Sequence, residues 1–413
     1  VFLEKPKAII FNCNFNGLSI IQELGIHNIE CVAMDCLRSI GTYSRYSKFV
    51  RCPDPSRDES QFVDFLYDYC GSLASKPVLI PTNDHWATAV SKQKERLQEV
   101  SIPCVSDWPA TRLLVDKTSF YEEGVKHNYM TPRTWREDDL LEIPDEDFPI
   151  VAKPVFRRNS SDEDITNLLE NMDRLRLVVL KSKKELCAFL QKEKAYVKHL
   201  VFQEFVNGMS DEMHTVGIYA DNNNDIQGLF AGKKIRGYPA DIGDCIVGKA
   251  CRVPELLIEN TIRIVKEIGY SGIAEFEYKR DTKTKAYKLI EVNPRSWSWI
   301  GITPASGVSL PLIAYNDLCG LPYNRALINQ NIEVVYEKML PDLINSLFRY
   351  KKTYPSWHKS LKEWLLEQRT FKKKGNLIKA EFNAKDYPVA IMSYVQITKT
   401  IAGKLLRLMR KRS

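Results

Sequence analysis

The sequence predicts an α/β domain, then an α+β domain, then a helical and basic C-terminal extension. Three observations carry this reading. Strand and helix patterns alternate from residue 7 to about 110, paired strands with interspersed helices follow from 111 to about 325, and the remainder is helical, aromatic and basic. Alternation implies a parallel sheet with helices on its faces, whereas grouped strands imply an antiparallel sheet covered by helices. The boundaries read this way are 1–110, 111–325 and 326–413. At 413 residues the chain exceeds one ordinary core, so two or three domains suit its length.

In the first region "KAIIFNC" is a buried-strand run, "GLSIIQELG" a short helix ending in Gly25, and "ECVAMD" a second strand. "SQFVDFLYDYCGSL" has the spacing of an amphipathic helix, "PVLIPTND" is a strand with a polar end, and "HWATAVSKQKERLQEV" is another helix. The pattern is similar to a Rossmann-like nucleotide domain. Its first turn, however, reads "NCNFNG" where a dinucleotide fingerprint needs Gly-x-Gly-x-x-Gly, so neither NAD nor FAD is expected. Ligands of such sheets sit beyond the carboxyl ends of the strands, which nominates Asn83, Asp84 and the "SRYS" at 44–47. The alternative for each is a loop polar group capping a helix.

In the second region Lys117 follows "LLVD" at a helix start, and "FPIVAKPV" is an apolar strand ending in Lys153-Pro154. "HLVFQEFVNG" runs from a strand into a polar turn, and "EMHTVGIYAD" pairs with "IQGLFAGKKIRG" through "NNND". "ELLIENTIRIVKEIG" is a helix closed by Gly269. "GIAEFEYKRDTKTKAYKLIEVNP" reads as strand, turn and strand.

Composition excludes several classes. With 44% hydrophobic and 27% charged residues the chain reads as soluble and globular, and no apolar run approaches the ~20 residues of a membrane span. Its opening, "VFLEKPKAIIF", lacks the apolar core and cleavage site of a secretory signal. Ten cysteines, without Cys-x-x-Cys or a histidine at metal spacing, suggest reduced thiols and a cytoplasmic protein. The net charge of +7 is concentrated from Pro341 to Ser413, where 17 basic residues face five acidic ones, so the rest of the chain is net negative. A chain-wide nucleic-acid surface is therefore not expected, and no nucleic-acid-binding signature is present.

The stretch "KLIEVNPRSWSW", residues 288–299, carries the chemistry. A strand points alternate residues to one face, so Glu291, Asn293 and Arg295 project together. A turn centred on Thr284 pairs Glu277 with Glu291 and Glu275 with Asn293, leaving Ala274, Phe276, Ile290 and Val292 on the other face. Opposed like charges destabilise a hairpin, and a divalent cation would remove the repulsion. The bland alternative is an acidic face turned to water. Carboxylates with an amide oxygen, and no His or Cys, suit Mg²⁺ or Mn²⁺, and such a Mg²⁺ site completes its shell with water and phosphates. Lys117, Lys153 and a Lys234/Arg236 pair, read as sharing one strand face, are candidate partners for those phosphates, or else surface cations.

Taken together these residues resemble the ATP-grasp superfamily. "DK" at 116–117, "FPIVAKP" at 148–154, "VFQEFVNG" at 201–208, "GIAEFEYKRD" at 272–281 and "LIEVNPR" at 289–295 occur in that family's order over roughly residues 5 to 325. "SRYSKFV", "LIPTND" and "LIEVNPR" are similar to a predicted carboxylate–amine ligase branch that includes D-aspartate ligases. The resemblance implies a pre-ATP-grasp domain over 1–110, an ATP-grasp domain of two α+β subdomains over 111–325, and ATP and Mg²⁺ as cofactors, with Mn²⁺ an alternative. It implies that Lys117 and Lys153 contact phosphates, that Gln203, Glu204, Phe205 and Val206 form the adenine-reading hinge, and that Asp211 or Glu212 holds the ribose. Glu277, Glu291 and Asn293 would bind metal, and Arg295 would hold the substrate carboxylate or the transferred phosphoryl group. One departure is the phosphate flap: no glycine occurs between Pro154 and Asn207, and the loop reads "FRRNSSDED", which leaves Arg157 and Arg158 as its candidate contacts.

The activity so implied is ligation of a carboxylate to an amine through an acyl phosphate, with Arg295, Lys234 and Arg236 stabilising the developing charge. Small-molecule carboxylate and amine partners, amino acids or peptides, follow from the resemblance. Trp297 and Trp299 either wall the pocket or fill the core. The competing class is a regulatory protein that binds ATP on the same fold without ligation. Finally, residues 387–413 space apolar and basic side chains as an amphipathic helix. Such a helix either packs on the protein or makes peripheral contact with an anionic membrane.

Overall fold

Four fully buried residues, Ala8–Phe11, form β1 at the centre of a five-stranded parallel sheet. The computed structural model describes residues 5–155, 177–240, 243–329, 331–374 and 377–395. Around β1 lie β2 (Cys31–Asp35), β3 (Ser47–Arg51), β4 (Val78–Ile80) and β5 (Ile102–Pro103), in the order β3-β2-β1-β4-β5. The order reverses between β1 and β4, and parallel sheets bind ligands at such a switch point. The helix Phe15–Ile26 starts just past β1, and the helix Asp84–Lys92 starts just past β4. Asn83 caps the latter by accepting the His85 amide at 3.0 Å, so the capping alternative applies to Asn83. The single helix expected after β4 is two, broken at Gln93.

A four-stranded antiparallel sheet follows: β6 (Thr134–Trp135), β7 (Ile150–Pro154), β8 (Val178–Leu180) and β9 (Leu200–Glu204), ordered β6-β9-β7-β8. A seven-stranded sheet comes last. It contains β10 (Met213–Ala220), β11 (Ile226–Tyr238), β12 (Asp244–Ala250), β13 (Gly272–Arg280), β14 (Tyr287–Asn293), β15 (Val335–Glu337) and β16 (Leu377–Lys379), ordered β14-β13-β10-β11-β12-β15-β16. On one face the helix Glu255–Ile268 buries Leu257, Ile264 and Val265 in a cluster with Val216, Ile218 and Phe276. Gly269 ends it at φ 67°, the left-handed position where glycine carries no side-chain penalty. On the other face Phe230, Trp297 and Trp299 join the apolar side of the helix Phe15–Ile26 in one core. A Cβ on Gly217 would lie 2.2 Å from the Trp297 ring, so this glycine lets the indole lie on the strand. Both tryptophans are 1% exposed and belong to the core.

The C-terminal segment is largely helical, as expected, and also supplies β15 and β16 to the large sheet. It folds back on the first domain as well. Asp386 accepts from Ser44 Oγ (2.7 Å), the Arg45 amide (2.9 Å) and Gln22 Nε2 (2.9 Å), so "SRYS" is engaged by the chain itself rather than standing open to a ligand. Val389 is buried against Leu18 and Ile40. Residues 396–413, which carry most of the proposed membrane contact, lie outside the described residues. No described helix is long and apolar enough to cross a membrane. All ten cysteines are free thiols, and six are buried.

Candidate active site

β13 and β14 form the acidic hairpin. Glu275 pairs with Asn293 and Glu277 with Glu291, but nearer the turn Tyr278 pairs with Leu289. The residue left over is Ile290, so the hairpin is bulged there rather than centred symmetrically on Thr284. The expected placement of Ile290 beside Val292 is thereby corrected: Ile290 is half-buried, and its carbonyl accepts from the Tyr121 hydroxyl. Counted straight on from Tyr278 and Leu289, Glu277 would meet Ile290; the extra residue brings Glu291 opposite it instead. Asp281 secures the turn, its carboxylate accepting from the Asn207, Lys283 and Thr284 amides at 2.8, 2.7 and 2.8 Å.

Charges of alternating sign run across this face. Lys117 Nζ lies 3.5 Å from Glu291, and Lys234 Nζ lies 2.8 Å from Glu277. Burial opposes the charge on Lys234, yet Glu277 and Glu275 overcome it and raise its pKa. Glu275 is buried beneath them, and burial together with the Glu277 charge pushes its carboxyl up to about 8. Asn293 donates Nδ2 to Glu275 (3.0 Å) and accepts at Oδ1 from Arg295 (3.0 Å). Arg295 Nε then reaches Asp84 of the first domain at 2.8 Å. Hard oxygens from Glu277, Glu291 and Asn293 on one face fit a divalent cation that shares its shell with phosphate oxygens. Among the described residues no group of three or more His, Cys, Asp or Glu is arranged to hold a metal by itself.

The other expected residues lie on β7 and β9 or in the turn that follows β9. Lys153, in β7, donates to the Tyr121 hydroxyl at 2.7 Å, with its ammonium 4.9 Å from the ring centre. Gln203 is buried and donates to Thr134 at 2.8 Å. Glu204 ends β9, accepts the Arg133 amide at 2.9 Å and pairs with Lys288 at 2.6 Å. Phe205 and the buried Val206 connect β9 to the short turn Ser210–Glu212, where loss of hydration raises the Asp211 carboxyl. The flap candidates Arg157 and Arg158 lie outside the described residues.

One expected residue moves away. A bulge separates Lys234, opposite Gly248, from Arg236, opposite Val247, so the two do not share a face. Arg236 is buried and binds Asp342 through two 2.9 Å hydrogen bonds and Glu367 at 2.9 and 3.0 Å. Its donors are committed to the C-terminal helices, and a part in charge stabilisation is withdrawn. Sequence reasoning missed Tyr121, which links Lys153 to the hairpin, and the triad Asp244, Ser298 and Lys338. Asp244 Oδ2 accepts from Lys338 at 2.6 Å, and Oδ1 accepts from Ser298. No sequence spacing announces either set, because the partners come together only in the folded chain.

Residues 210–305, which contain this hairpin, match the family described as the carbamoyl-phosphate synthase L chain ATP-binding domain. The fold is shared with the biotin carboxylase domain of Hydrogenobacter thermophilus 2-oxoglutarate carboxylase, solved with MgADP, ADP and bicarbonate. That likeness has a TM-score of 0.56 at 14% identity and covers 78% of this chain and 72% of that one. The matched segment is under a quarter of the chain. Over a longer stretch the chain is 26% identical, across 256 residues, to the D-aspartate ligase of Enterococcus faecium (strain Aus0004). The match spans 59% of each, so the chain matches about three fifths of that relative's length. The fold likewise matches an L-amino acid ligase from Bacillus licheniformis, with TM-score 0.54 and 16% identity over 76% of this chain and 75% of that one.

Proposed function

We propose that the protein is an ATP-dependent carboxylate–amine ligase that forms an amide or peptide bond on an amino acid or peptide through an acyl phosphate. The supporting observation is the opposed pair Glu277 and Glu291, each held by a lysine, with Arg295 two residues beyond Asn293. A carboxylate is a poor electrophile because its oxygen does not leave. One of its oxygens therefore attacks the γ-phosphorus of ATP, the bond to ADP breaks, and an acyl phosphate forms. An amine then attacks the acyl carbon, loses a proton, and phosphate departs.

Glu277, Glu291 and Asn293 would hold Mg²⁺, or Mn²⁺ in its place, which when bound supplies neutralisation of phosphate charge. Lys117 and Lys153 hold phosphate oxygens; Gln203, Glu204, Phe205 and Val206 provide the adenine edge, and Asp211 the ribose contact. Arg295 orients the reacting carboxylate, and Lys234 stabilises the oxyanion of the addition step. For the C-terminal segment we propose peripheral contact with anionic lipid through residues 387–413. The functional test is ADP release over a matrix of amino acids, peptides and amines with Mg²⁺, followed by mass spectrometry of the product. ADP release that requires both an acid and an amine, with a condensed product, supports ligation; ATP binding without such release supports the regulatory class.

A further inference from the structure

Beyond Lys234 the alternation of charge continues toward the C-terminal side of the large sheet. Lys234 Nζ lies 3.4 Å from the carbonyl of Gly243, next to Asp244, and the Asp244 carboxylate meets Lys338 at 2.6 Å. Lys338 follows β15, is 4% exposed in its side chain, and holds its ammonium 5.2 Å from the centre of the Phe15 ring. Phe15 opens the helix that follows β1, and Asp84 opens the helix that follows β4. From the first domain, therefore, the two strand ends at the switch point contribute Phe15 and Asp84. From the large sheet, Asp244, Ser298, Lys338 and Arg295 meet them.

Asp244 differs from its neighbours in one respect. Its side chain is 56% exposed, whereas Lys338 is buried and Arg295 is 12% exposed. Both oxygens are already oriented, Oδ1 by Ser298 and the Cys245 amide (2.8 Å) and Oδ2 by Lys338. The outcome is a tethered carboxylate, exposed over half of its side chain, beside the lysine assigned to the acyl-transfer step. Held by Lys338 and Ser298 and still exposed, this carboxylate keeps lone pairs that can accept from a substrate ammonium.

We propose that Asp244 is the specificity-determining residue that selects an α-amino acid as the acid substrate, by pairing with its ammonium group. Lys338 and Ser298 are positioning residues that fix the two oxygens of the carboxylate. This rests on the ligase reading above and narrows its substrate class: acids with an ammonium are accepted, and the same acids without one are refused.

The test measures ADP release by the full chain with MgATP and the most active amine of the matrix. Each amino acid is compared with its deaminated counterpart, aspartate with succinate and glutamate with glutarate. Wild type is expected to favour the aminated acid at least tenfold in kcat/KM, because the charge-assisted contact to Asp244 is lost when the ammonium is missing. Asp244→Asn should raise KM for the amino acid by about tenfold or more and bring the ratio close to one, with KM for ATP unchanged. Ser298→Ala, which removes one tether and keeps the carboxylate, should move the ratio in the same direction by less, and it covers the case in which Asp244→Asn folds poorly. A ratio unchanged in both variants overturns the assignment and leaves the ligase reading standing. A wild type that releases no ADP with any acid and amine removes both.

Discussion

Replacing Glu337 with glutamine is expected to stabilise the protein, increasingly so as the pH rises. Glu337 ends β15, is fully buried, and accepts from Gln368. Burial, then the charge of Asp342, pushes its carboxyl from 4.5 up to about 8. The native protein thus keeps Glu337 protonated at pH 7 while the unfolded chain ionises it. The unfolded state binds fewer protons between these two values, so stability falls as pH rises through that window, by about 1.4 kcal/mol for each step of one in pH. Over the whole interval the loss is on the order of 5 kcal/mol. Glutamine keeps the shape, can still donate to Asp342, and carries no proton to lose. Urea or thermal unfolding of both proteins from pH 5 to pH 8 is the assay. The variant should match wild type near pH 5 and exceed it by a few kcal/mol near pH 8. A difference that stays flat with pH would refute a protonated Glu337.

Arg295→Lys should bind ATP normally and lose on the order of a hundredfold in ligation, because lysine keeps the charge without the planar fork that grips a carboxylate; equal rates would make Arg295 structural. Gly217→Ala places a methyl group 2.2 Å from the Trp297 ring and should destabilise the fold by about 1–3 kcal/mol or more, read as a lowered melting temperature. The proposed lipid contact predicts co-sedimentation with anionic vesicles at low salt that is lost at high salt or on removal of residues 387–413, whose basic residues contribute about 1 kcal/mol each. Full-length protein remaining in the supernatant at low salt would contradict it.

What the sequence disclosed about the site was local. Glu275, Glu277, Glu291 and Asn293 could be paired because alternation and a short turn determine their partners, and those pairings hold. The bulges could not be read. At Ile290 the bulge leaves the acidic pairing intact, but near Ile235 it sends Arg236 to the opposite face, where Asp342 and Glu367 occupy its donors. Short strands were equally silent: Leu377–Lys379 is three residues after a run of lysines, and only its neighbour β15 makes it a strand. Long-range pairs were the last to be visible. Asp84 and Arg295 were each nominated, yet their contact spans 211 residues of sequence and arises from the docking of one domain on another. The parallel sheet and the Glu255–Ile268 helix were legible because hydrophobic periodicity and a terminal glycine specify them without reference to anything distant.

The central claim is that Glu277 and Glu291 exist opposite each other to hold a metal ion against ATP. Its most direct test is ADP formation by Glu291→Gln, with the acid and amine that serve the wild type, at saturating Mg²⁺. Glutamine preserves the strand, removes the charge and loses the ion pair to Lys117. The account predicts an unchanged circular dichroism spectrum and ADP formation abolished. A correctly folded Glu291→Gln protein that turns over at the wild-type rate would contradict it.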